Sequence, residues 1–336
     1  MSISVLRAGL LTTVQDKGRF GYRKEGVIVG GAMDLFALRI ANLLVGNEEG
    51  KAALEVTLMG PSILFETETL ISICGGNLTP SVGGKELPLW RPVYIQAGQM
   101  LEFGACQSGA RAYVAIAGGI EVPEVMQSRS TYLRAGLGGL EGRALKEGDK
   151  LYNGTLTERS AAYMEYMASN AGSQPFQAAD WYVGDRQFPA YAKNPVIRVL
   201  RGREFEWFTE ESQETFFTAP FRVTSQSDRM GYRLKGTKLD LKAEKEVVSE
   251  AVTFGTIQVP AEGDPIILMA DCQTVGGYPK IAQVVSMDLP VLAQVKPGTT
   301  VQFKEVSLQE AEDLYIWKEM EFGKMAKGIE LFLSNI

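Results

Sequence analysis

Short apolar runs, broken by glycine, proline and asparagine, set the rhythm of this chain. Residues 71–74, 92–96, 112–117, 197–200 and 266–269 are β-prone stretches bounded by such residues, the pattern of strands joined by turns. Helical periodicity is clear in two places. Asp34 stands where an N-cap belongs, Leu35, Leu38, Ile40, Ala41, Leu43 and Leu44 supply one apolar face, and Gly46-Asn47 ends the segment. Over 308–332, Leu314, Ile316, Trp317, Met320, Phe322 and Met325 recur at helical intervals among charges. Many short strands with few helices predict a mainly β fold built of barrels rather than a βαβ sheet.

The pattern also repeats. Residues 3–8 resemble 197–202; residues 19–26 match 229–236 as R-x-G-Y-R-x-x-G; residues 92–96 return as 290–294. Each copy of the last pair is followed by a Gly turn and an alternating strand, 100–103 and 301–303. Three matches in one order predict two related domains, a first over 1–120 and a second over 195–336 that includes the C-terminal helix. Between them, 121–194 reads as an inserted Gly- and Arg-rich loop followed by a linker of lower periodicity.

The chain has 336 residues, 45% hydrophobic and 22% charged, which is ordinary for globular domains and long enough for two of them. A net charge of −6 makes nucleic acid a poor partner while leaving small anionic substrates open. The first fifteen residues lack the basic region and cleavage site of a signal peptide, and no apolar run approaches the roughly 18 residues of a membrane span. Three widely spaced cysteines fit a reducing compartment, so the expected location is the cytoplasm, with no membrane partner. There is no histidine. Ser-His-Asp and Cys-His catalysis and most zinc chemistry are thereby excluded within this chain, leaving acid–base work to Asp, Glu, Lys, Tyr or Cys.

Three stretches carry candidate chemistry. The Gly-rich run 134–143 lacks the Lys-Ser or Lys-Thr of a P-loop, and Glu141 stands where a dinucleotide fingerprint needs glycine. It reads either as a mobile turn or as a loop receiving an anion, with Arg129, Arg134 and Arg143 close in sequence. The stretch 273–280 offers two glycines for close backbone approach, with Tyr278 and Lys280 as donor and cation, or else a plain structural turn; Asp271 lies just upstream. In 13–19, Asp16 and Arg19 read as a loop-pinning pair, with Asp228 and Arg229 as counterparts. Cys74 reads as core; Cys272 would need Lys280 or another chain to become a thiolate.

Thr12-Thr13-Val14-Gln15-Asp16-x-Gly18-Arg19, Gly30-Gly31-Ala32-Met33-Asp34, Ser128-Arg129-Ser130-Thr131-Tyr132, Asp228-Arg229-Met230-Gly231 and Gly277-Tyr278-Pro279 resemble the biotin-dependent carboxyltransferase or allophanate hydrolase subunit 2 family, over nearly the whole chain. The resemblance implies two tandem cyclophilin-like β-barrels with a few helices. Its members include KipA-type chains, read as the C subunit of 5-oxoprolinase, and the carboxyltransferase part of urea carboxylase. The first kind implies a cytoplasmic protein, inactive alone, acting with a KipI-like B subunit (in direct contact) and with a LamB/YcsF-like A subunit. Together these open 5-oxoproline to L-glutamate through a phosphorylated lactam, with ATP and Mg expected in the assembled complex. The second implies carboxyl transfer, but Lys324-Met325-Ala326-Lys327 is the nearest approach to a Met-Lys-Met biotin site, so no covalent biotin is expected on this chain. KipA-like chains also imply a third role, antagonism of a KipI-like kinase inhibitor. The expected site lies between the barrels or at the boundary with the B subunit. Its substrate-binding residues are Arg129, Tyr132 and Arg134 on one wall, and Gln273, Thr274, Gly276, Gly277 and Tyr278 on a second. Gln15, Asp16, Arg19, Asp228 and Arg229 are motif residues whose role is as readily structural.

Overall fold

In the computed structural model, which describes residues 2–334 except 185–188, 190, 244 and 246, the strand Thr69–Asn77 shows what an apolar run does here. Ile71 and Ile73 enter the main core, while the intervening Ser72 faces the other way and donates its hydroxyl to the Ala41 carbonyl. Both faces are covered, so the strand reads as a continuous buried run rather than an alternation.

Five α-helices accompany the strands among the described residues: α1 (Leu35–Leu44), α2 (Glu158–Ala171), α3 (Glu210–Thr218), α4 (Leu289–Ala293) and α5 (Leu308–Ser334). Helix α1 starts where its sequence places it, with the Asp34 carboxylate accepting from the Ala37 N–H. Helix α2 lies in the segment expected to be a linker. Its signals are nevertheless present: Thr157 caps the Ser160 N–H, and Tyr163, Met167 and Ala171 recur on one buried stripe.

Two compact units emerge. The first comprises 2–19, 34–184 and 321–334 of the described residues; the second comprises 20–33, 189 and 191–320 without 244 and 246. The first holds a seven-stranded and a six-stranded sheet. The core between these sheets takes Ile3, Val5, Ile63, Phe65 and Leu101 from one, and Leu54, Val56, Ile71, Ile73, Ile95 and Val114 from the other. Part of the expected insertion is integral to these sheets: Lys150–Asn153 pairs with Ser2–Arg7, and Phe176–Ala178 with Pro92–Ile95.

The second unit is a closed seven-stranded barrel in the order Val196–Arg201, Lys280–Val284, Thr256–Gln258, Ile266–Leu268, Gly231–Lys235, Phe221–Val223 and Thr300–Glu305. Thr300–Glu305 closes it by running parallel to Val196–Arg201. Closure leaves no unpaired edge, and the inward faces carry Ile197, Val199, Phe221, Leu234, Ile257, Ile281 and Phe303. Phe216 of α3 stacks on Phe303, ring centroids 4.6 Å apart.

The repeat is structural at one of its three matches and at the glycine turn and strand that follow another, Gly98 before Met100–Phe103 and Gly298 before Thr300–Glu305. Residues 3–8 and 197–202 both yield strands, Ser2–Arg7 and Val196–Arg201. Residues 92–96 and 290–294 diverge. Pro92 opens a strand whose first rung faces Ser72, whereas Pro290 sits in the first turn of α4, where its missing N–H costs nothing. The R-x-G-Y-R match diverges too. Arg23–Glu25 is a 3-10 turn, while Gly231–Lys235 is a barrel strand that buries Tyr232 opposite Ile267. The same short motif serves two backbones because partner strands, not its own spacing, decide its conformation.

Candidate functional site

The motif residues of the first unit converge on Asp16. Its Oδ1 accepts from the Gly18 N–H and the Ser128 hydroxyl, both at 2.8 Å, and from the Ser130 hydroxyl; its Oδ2 accepts from the Arg129 N–H. Arg19, fully buried, donates to the carbonyls of Ser130 at 2.8 Å and Val125 at 3.4 Å. Gln15 donates to Thr13 Oγ1 and the Thr131 carbonyl. A carboxylate satisfied by this many short-range donors is a joint that ties the strand end at 11–15 to the 128–131 segment.

The Gly-rich run folds onto that joint. The N–H groups of Gly136, Leu137, Gly139, Gly142 and Arg143 all donate to backbone carbonyls. Gly139 has φ +54°, and a Cβ there would lie 1.9 Å from Thr131 Oγ1. The glycines thus permit a backbone-on-backbone contact. Arg143 holds Asp149 through two nitrogens, at 2.7 and 2.9 Å, and thereby keeps that carboxyl below its usual range. Arg129 is likewise engaged, donating to the Val122 carbonyl and pairing with Glu121 and Glu124, each at 3.3 Å. Tyr132 is half-buried with its backbone paired to Leu137; Arg134 is exposed.

In the second unit, Asp228 pins its own turn by accepting from the Met230 and Gly231 N–H groups. Arg229 is buried against Asp271, with Nε and Nη2 each 2.8 Å from a carboxylate oxygen, and Nη2 also reaches the Gly31 carbonyl. Asp271 is therefore the counter-ion of Arg229. Cys272 is buried beside it, and that burial pushes its thiol up to about 11, away from nucleophilic use at neutral pH. Burial likewise drives the Cys74 thiol well above its ordinary value.

Beyond Asp271 the chain reaches the predicted second wall. Val275–Gly276 pairs with Glu250–Ala251, presenting Gln273, Gly277 and Tyr278 to solvent with Thr274 half-buried. Lys280, at the start of a barrel strand, is buried, with Nζ 3.6 Å from Glu204 and 3.5 Å from Glu250. The Glu204 carboxylate also accepts from the Lys280 backbone N–H at 3.0 Å. Gln258, 1% exposed, is the register partner of Lys280 across the ladder. Neither Glu204, Glu250 nor Gln258 was evident from sequence. No motif marks them; Gln258 reaches Lys280 through the barrel ladder, and Glu250 through the short pairing of Glu250–Ala251 with Val275–Gly276.

The chain is similar to a known group of proteins. The model of the "carboxyltransferase domain, subdomain A and B" family matches residues 25–305. The C subunit of 5-oxoprolinase from Escherichia coli is 41% identical over 92% of this chain and 93% of its own length. Its Haemophilus influenzae counterpart is 39% identical over 99% and 97%. The crystal structure of the K. lactis urea amidolyase is 31% identical, with a TM-score of 0.85 over 98% of this chain; the match spans only 20% of that longer protein. The chain belongs to the carboxyltransferase family built from subdomains A and B.

Proposed function

We propose that this chain is the C subunit of an ATP-dependent 5-oxoprolinase that converts 5-oxoproline to L-glutamate. The carrying observation is near end-to-end similarity, at 39–41% identity, to two proteins of that name. A lactam is a poor electrophile at neutral pH. Phosphorylating its carbonyl oxygen makes the carbon electrophilic, so that one water adds to it and the C–N bond breaks, the nitrogen taking a proton as the ring opens; a second water then displaces phosphate from the resulting acyl phosphate. In this proposal the chain serves the activation step together with a KipI-like B subunit, hydrolysis falls to a LamB/YcsF-like A subunit, and ATP with Mg acts in the assembled, cytoplasmic complex. The chain alone is inactive. Its own contribution is a charge-balanced polar cluster around Lys280, with Gln273, Thr274, Gly276, Gly277 and Tyr278 at its mouth. Arg129, Tyr132 and Arg134 form a second candidate surface.

The family description and the urea amidolyase match favour carboxyl transfer as the second reading. That reaction needs carboxybiotin delivered from another chain. Phosphate release from ATP, dependent on 5-oxoproline and measured with this chain and the candidate KipI-like and LamB/YcsF-like partners, separates the two. Release that requires this chain supports the proposal. A reaction that instead requires carboxybiotin supports the second reading.

A further inference from the structure

Two buried nitrogen donors of the second unit lack hydrogen-bond acceptors, and they are neighbours. Gln258 Nε2 and Lys280 Nζ are both buried without a hydrogen-bond partner, in residues 1% and 8% exposed. The strands Thr256–Gln258 and Lys280–Val284 shift register between Ile257 and Gln258, and the shift sets Lys280 opposite Gln258. Side chains opposite one another in an antiparallel pair share a face and stand within reach of a common group. A bulge of this kind re-aims a side chain, and such bulges recur beside functional sites. Leaving a buried donor without an acceptor is unfavourable by more than an ordinary hydrogen bond contributes, so native proteins rarely keep two together.

The surrounding charges say what is missing. Lys280 faces Glu204 and Glu250, and Glu250 also accepts from Arg203 Nη1 at 2.6 Å, while Arg203 Nε lies 4.0 Å from Glu204. Two cations and two carboxylates balance. The cluster therefore wants acceptor atoms rather than a further negative charge, since an anion would meet Glu204 and Glu250. Gly276, the register partner of Glu250, lets the amide lie directly against its backbone: a Cβ there would lie 2.4 Å from Gln258 Nε2.

We propose that Gln258 and Lys280 form a subsite for a neutral amide, whose carbonyl oxygen accepts from both nitrogens and whose N–H is donated to the Glu250 carboxylate. The carbonyl's two lone pairs match two donors, and a carboxamide presents the acceptor and donor side by side. The requirement for a neutral acceptor rests on this geometry; identifying the amide as a lactam rests on the functional reading above.

Saturation-transfer NMR of the full chain tests this with 2-pyrrolidinone, a lactam without a carboxylate, and proline, a carboxylate without a lactam. Transfer to 2-pyrrolidinone and not to proline is expected. Gln258→Leu and Gly276→Ala should each weaken binding about tenfold, the cost of losing one buried hydrogen bond. Gly276→Ala retains both donors and displaces only the flexible end of Gln258, so it keeps the test open if Gln258→Leu fails to fold. Absence of transfer to 2-pyrrolidinone, equal transfer to proline, or binding unchanged in a folded Gly276→Ala protein overturns the subsite. Any of these results leaves the oxoprolinase assignment standing, because that is judged by lactam-dependent phosphate release.

Discussion

Arg229 and Asp271 meet as a buried two-point ion pair, Nε to Oδ2 and Nη2 to Oδ1, each 2.8 Å long. The pair joins the turn before one barrel strand to the loop after another, and the Asp271 N–H donates back to the Arg229 carbonyl. Removing one charge strands the other. Asp271→Asn should therefore destabilise the protein by about 3–5 kcal/mol, as expected for a broken buried pair. Replacing both, as Arg229→Met with Asp271→Leu, should cost less than either single change. Urea unfolding of Arg229→Met, of Asp271→Leu and of the double variant measures this, and additive losses would show that the two residues act independently.

Asp16 plays the equivalent part in the first unit with hydroxyl and amide donors in place of an arginine. Asp16→Asn turns one acceptor oxygen into a donor facing hydroxyls and N–H groups already committed to it. A loss of about 1.5–3 kcal/mol is expected, the range for hydrogen bonds to a charged group. Unfolding midpoints check the magnitude. Activity per folded molecule in the assembled complex should survive, and its disappearance at full folding would move Asp16 from joint to catalyst.

Gly139 sits at φ +54° with Thr131 Oγ1 where a methyl group would go. Gly139→Ala combines backbone strain with a collision and should cost more than about 1 kcal/mol. Gly136 has a similar φ of +60° with nothing near its Cβ position. Gly136→Ala should cost less, and the difference between the two melting temperatures isolates the contact from the backbone term.

Alkaline pH should unfold the chain by exposing groups that it buries neutral. Burial raises the Cys272 thiol from 9.0 to about 11 and the Tyr163 hydroxyl from 10.0 to about 12. A group whose folded value is raised contributes stability in full below its unfolded value, and that stability is lost as pH climbs through the folded value. The urea midpoint should thus hold from pH 7 to near 9 on account of these groups, then fall between about 9 and 12. Cys272→Ala should flatten the first part of that fall.

The sequence was most informative where partner and pattern coincide. The Asp34 cap and the apolar face behind it specify α1 locally, and the strands at 71–74 and 197–200 carry their own β propensity. It was least informative where distant segments decide the outcome. Proline at 92 and at 290 stands in similar five-residue contexts, yet one opens a strand and the other a helix. The same holds for the candidate site. Tyr278 and Lys280 stand beside glycines, whereas Gln258, Glu204 and Glu250 sit in unremarkable stretches and matter because a register shift in the barrel and the short Glu250–Ala251 pairing set them around one lysine. Asp16 and Asp228 read as partners of the arginines beside them; their carboxylates are instead held by Ser128, Ser130 and backbone amides, and Arg229 by Asp271.

The most direct test of the functional proposal is ATP-dependent glutamate formation from 5-oxoproline, with this chain and its candidate KipI-like and LamB/YcsF-like partners, each omitted in turn. The proposal predicts glutamate from the complete set and none without this chain. Undiminished glutamate formation in its absence would contradict the assignment.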